Sequence, residues 1–136
     1  MASDDFQLAT PPKSADAREL WLQHAAGFIL FEDVRRYAAE RIDPKLPAEV
    51  RAQAQKSIDD ALYGIMMIAD GVTGILSNGT ENVRVRVVAQ HARNTGDDDS
   101  VITEIDLFDG DGMCMGFHGW LEGDFGSDEV AIKSAK

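Results

Sequence analysis

Three side chains able to handle metals and protons, Cys114, His118 and Glu122, recur four residues apart just after the turn Asp109-Gly110-Asp111-Gly112. Thiolate, imidazole and carboxylate are the ligand types of a zinc or other transition-metal site, and a Cys beside a His can begin a nucleophilic pair. The set is thin for either role. Sequence-encoded zinc sites repeat their Cys or His pairs, and a lone cysteine is more often a small buried hydrophobe. Four residues along a strand span roughly 13 Å, too far for a Cys–His hydrogen bond, although on a helix the two would be adjacent. The Asp-Gly turn opens like a calcium loop. Its register, however, puts Cys114 where glycine is needed and Trp120 where the bidentate glutamate belongs. The chain has no G-x-S-x-G, no phosphate-cradling glycine loop and no Walker pattern. No catalytic residue, metal or cofactor is therefore assigned. A small metal-binding protein or enzyme using Cys114, His118 and Glu122 stands as one alternative function, and a structural homo-oligomerisation module resting on Leu20–Phe31 as another.

What this region holds in quantity is negative charge. Between Asn94 and Ile132 there are eleven acids and no Lys or Arg, so residues 94–136, with two lysines at the end, carry −9 of the formal −11. The expected partner-binding residues are Asp97, Asp98, Asp99, Asp109, Asp111, His118, Trp120, Glu122 and Asp124. An aromatic set among acids has the form of a binding hot spot, and the field of such a face attracts a basic protein. The same charge argues against nucleic acid and against an anionic membrane surface, both of which need a basic patch. No apolar run approaches the roughly 20 residues of a membrane span. A single cysteine cannot close an internal disulfide, and MASDDFQLATPPK has acids where a signal peptide has bases. The expected location is cytoplasmic.

The elements that would position these residues follow from periodicity and punctuation. At 136 residues and 44% hydrophobic, the chain suffices for one domain, read as 14–136 behind a loose tail of residues 1–13. Leu20, Trp21, His24, Phe28, Phe31, Val34, Ala38 and Ile42 recur at helical spacing and predict a helix over about 15–42, capped by Ser14. Leu20–Phe31 is apolar nearly all round, so the helix is buried on more than one side, and a homodimer through this segment is one way to cover it. After Asp43-Pro44 and Pro47, a second helix over about 48–69 carries its core face on Leu62, Ile65, Met66 and Ala69. It ends at Asp70-Gly71. The rest alternates as strands over about 72–77, 82–91, 101–108 and 113–121, with Asn78-Gly79 as a hairpin signal. Met113–Leu121 also fits a short helix. Gly116 and Gly119 each cost a helix about 1 kcal/mol, so a strand is expected there. The predicted architecture is α+β, an N-terminal helical hairpin packed on a C-terminal antiparallel β-meander.

Two stretches, ALYGIMMIADGVTG over 61–74 and DGDGMCMGFHGWLEG over 109–123, look like segments of small acidic bacterial proteins. In size, charge and lack of catalytic motif the chain is similar to immunity proteins, which neutralise secreted toxins. The resemblance implies an inhibitor whose partner is a basic protein such as a toxin. It carries over no functional residue.

Overall fold

The computed structural model describes residues 2–96, 98–124 and 130–132, and only the backbone of residues 3, 98, 99 and 130–132. The segment expected as a tail holds a four-residue helix, α1 (Ala2–Asp5), and a strand, β1 (Phe6–Leu8). Ser14, in extended backbone, then accepts a hydrogen bond from the Ala17 N–H at 3.2 Å and starts α2 (Ala15–Ala39). The expected end near residue 42 survives as tight turns, Arg41 N–H to Ala38 and Ile42 N–H to Ala39. Pro47 sits at the cap of α3 (Ala48–Ala69). At its far end Gly71, with φ +74°, lets Val72 N–H reach the Met67 carbonyl and Gly71 N–H reach that of Ile68. That pair of bonds closes the helix in a Schellman arrangement. Arg35 on α2 clamps Asp59 on α3 through Nε at 2.7 Å and Nη2 at 3.3 Å. The helical hairpin is thereby tied by charge as well as by packing.

The described strands form three separate antiparallel ribbons. β2 (Ile75–Ser77) pairs with β3 (Asn82–Arg84) around the Asn78-Gly79 turn, where Gly79 has φ +95°. β4 (Val88–Thr95) pairs with β5 (Asp98–Asp106), with a register shift at His91/Ala92. β6 (Val130–Ile132) pairs with β1, Phe6 opposite Ile132. The run expected as one strand over 82–91 is split, because the chain leaves β3 at Val85. Val85 N–H bonds the Gly74 carbonyl, and Val87 then offers its carbonyl to Leu107, just past the end of β5.

The expectation of a strand over 113–121 is overturned. Met113–Leu121 is a helix, α4, lying against both α2 and α3. Its buried face is Met113, Phe117 and Trp120, one turn apart. Trp120 is only 4% exposed and lies against two glycines. A Cβ on Gly116 would come 2.6 Å from Trp120 Cζ2, and one on Gly27 of α2 would come 2.0 Å from Cη2 of the same ring. The glycines that argued against a helix are therefore the space that lets it dock. Burying a large side chain yields about 1.5–3 kcal/mol, enough to repay a glycine. Phe31 and Tyr63 meet Phe117 edge-on at 5.8 and 5.2 Å. Leu62, Met66 and Leu107 complete the centre of the core.

α2 is covered within its own chain on several sides. Trp21 meets His91 of β4 at 5.0 Å, Phe28 meets Phe6 of β1 at 4.9 Å, and Phe31 meets α4. Within the same apolar stretch Leu20 and Ile29 remain 38% and 52% exposed.

Candidate functional site

The loop between β5 and α4 is held from three sides. Asp106 accepts from the Phe108 N–H at 3.0 Å and starts a single 3-10 turn, Leu107–Asp109. Gln23 of α2, only 3% exposed, accepts from the Asp111 N–H at 2.7 Å through Oε1. Gly110 lies so close that a Cβ there would be 2.6 Å from Gln23 Cδ. Asp70, at the end of α3, accepts from the Met113 N–H at 2.5 Å and the Cys114 N–H at 2.8 Å. It thus caps α4 from 43 residues away. An acid at a helix C-terminus opposes the macrodipole, whereas the same acid at the start of another helix satisfies it.

So fixed, the loop presents Asp109 and Asp111 next to Asp16 and Glu19 of α2. These four carboxylates border a shallow recess of about 200 Å³, with Leu20, 38% exposed, and Gln23 completing its lining. No Lys or Arg lines it among the described residues. The arrangement can receive a cationic side chain by charge, with Leu20 offering apolar contact to its stem.

The other expected site residues are dispersed. Asp97 and the side chains of Asp98 and Asp99 lie outside the described residues. His118 is exposed on α4 near Tyr63, their ring centroids 5.8 Å apart. Glu122 and Asp124 are exposed beyond the far end of α4, whose nine residues span roughly 13 Å. Trp120 is corrected outright: it faces the core between α2 and α4 and cannot be an exposed hot spot. No protein-family profile, no curated protein and no solved structure matches the chain.

On α4, Cys114 and His118 stand one turn apart, but no group of three His, Cys, Asp or Glu able to hold a metal exists among the described residues. Burial pushes the Cys114 thiol above its ordinary range and the hydrogen bond to Asp70 adds to this, while hydrogen bonding with Tyr63 opposes it. A raised thiol is a weaker nucleophile at neutral pH than a free cysteine. Tyr63 is raised in turn, first by its hydrogen bond with Cys114. Among the described residues no helix is long and apolar enough to cross a membrane.

Asp16, Glu19, Gln23 and Asp70 were missed in the sequence. Asp70 and Gln23 did leave a signal: an acid ending a helix against its dipole, and an amide in the middle of an apolar run. Asp16 and Glu19 left none, since nothing in an exposed first turn says which distant loop it will meet.

Proposed function

We propose that this chain is an acidic binding protein of the immunity or inhibitor type, which neutralises a basic protein partner in the cytoplasm. The observation that carries the reading is the recess of Asp16, Glu19, Asp109 and Asp111 around Leu20, which no base lines among the described residues. Its loop is fixed in advance by Gln23 and Asp70, so little ordering cost falls on association. The formal charge of −11 adds long-range attraction, and the recess supplies the local contacts. Such binding is fast, salt-sensitive and specific for Lys or Arg side chains.

The test compares immobilised wild-type chain with an Asp109→Lys/Asp111→Lys variant, both offered the same cell extract at 50 and 300 mM salt. The expected result is a basic protein retained by the wild type at low salt only, and lost from the variant. An acidic partner, or equal retention by both chains at both salts, overturns the proposal.

A further inference from the structure

A second feature lies on a different face of α2. Between α2 and β4 runs a trough of about 420 Å³ whose lining is apolar except for Gln90 and His91. That volume is in the range of small-molecule pockets, about 300–1,000 Å³. Through Leu8, Ala25 and Ile29 it continues into a second hollow of about 370 Å³ beneath β1. Ile29, Leu8 and Val88 stay half exposed along it. At its other end it shares His91 and Ala92 with a hollow bordered by Lys13, Arg18 and Arg93, with no acid in its lining among the described residues. Three of the chain's 13 bases thus gather at one mouth of an apolar trough, in a protein of net charge −11. None of the three is in an ion pair among the described residues. Glu19 and Glu104 line the adjoining hollow beside Arg18, which disfavours a doubly charged head group. The Trp21 indole N–H, in the trough wall, is buried without an acceptor.

We propose that this trough binds a free long-chain monocarboxylate, its tail laid along Leu22, Ala25 and Ile29 and its carboxylate held by Lys13, Arg18 and Arg93. Apolar length and a single negative charge at one end are the two properties the trough selects. A cationic amphiphile would meet the three bases, and a neutral one would leave them unused. The site is separate from the acidic recess, and neither proposal depends on the other.

The full chain is titrated with octanoate, decanoate and dodecanoate below their micelle concentrations, and with decanol, by calorimetry and tryptophan fluorescence. Saturable binding tightens about two- to fourfold per added methylene, and decanol binds at least tenfold more weakly than decanoate. Arg18→Glu/Arg93→Glu, at exposed positions, removes the preference for decanoate over decanol, while Ile29→Glu weakens both ligands; circular dichroism checks that each variant is folded. Four results overturn the proposal. They are an absence of saturable binding, equal affinity for decanoate and decanol in the wild type, and binding to phosphatidylglycerol vesicles but not to monomeric decanoate. The fourth is a dimer that Ile29→Glu converts to monomer, which would make a second copy the occupant.

Discussion

Replacing Asp70 by alanine tests the clasp that holds the acidic loop. The carboxylate accepts two N–H bonds, at 2.5 and 2.8 Å, from the first turn of α4. Losing an N-cap costs about 1 kcal/mol and up to about 2, and bonds to a charged group rank at the high end. The site is half exposed, so water recovers part of the loss. Removing an anion from the C-terminal end of α3 returns about 0.3–1 kcal/mol. The net expectation for Asp70→Ala is a loss of about 1 kcal/mol, which for a chain of this size lowers Tm by about 3–4 °C. Asp70→Asn keeps one acceptor oxygen but no charge and loses about half as much. Urea unfolding followed by circular dichroism measures the loss. Native-state amide exchange localises it, with the Met113 and Cys114 N–H groups exchanging faster while the middle of α3 keeps its protection. A loss below about 0.5 kcal/mol, or unchanged exchange at those two amides, would refute the cross-chain cap.

Three other outcomes follow from packing and protonation. Gly27→Ala and Gly116→Ala should each destabilise by about 1–3 kcal/mol despite alanine's better helix propensity, because the new methyl meets the Trp120 ring. Gly64→Ala, in α3 with nothing within 4 Å of the new Cβ, should stabilise by up to about 1 kcal/mol, and urea midpoints of the three variants decide the sign. Since the folded Cys114 thiol is raised above its ordinary value, the unfolded chain gives up that proton first; stability is intact below about pH 8.5 and falls as pH rises beyond it. Cys114→Ser should remove that part of the alkaline decline, and iodoacetamide should alkylate native Cys114 slowly at pH 7.5. Trp120→Ala should cost about 3–5 kcal/mol, as for a core aromatic, where an exposed hot-spot residue would cost almost nothing.

Much of the scaffold was legible. Pro47 and Gly71 bracket Ala48–Ala69 because each has a backbone geometry that only a helix end requires, and Ser14 marks its helix by a side chain that competes for backbone N–H groups. The α+β class and the Asn78-Gly79 hairpin follow from the same local physics. α4 was read as a strand because helix propensity is a local quantity, whereas Gly116 is explained by Trp120 and Gly27 meeting it from another helix. Val83, Val85 and Val87 alternate faithfully, but alternation cannot say that a chain changes pairing partner between them. The acidic recess was half legible: Asp109 and Asp111 were marked by their turn, and their companions Asp16 and Glu19 only by folding.

The clasp between Asp70 and α4 also divides the chain by role. Everything from β2 to β5 leaves and re-enters a three-helix body whose members touch one another directly. β2 and β3 are exposed at every position, Leu76 at 79% and Val83 at 72%, so that ribbon contributes almost nothing to the body's interior. The entropy of closing an excursion grows only with the logarithm of its length, about 0.6 kcal/mol per doubling. The tip at Asn78–Glu81 is therefore a place where sequence can be lengthened, shortened or exchanged at small cost. A displayed peptide or a fluorescent tag belongs there, on a ribbon that is exposed at every position.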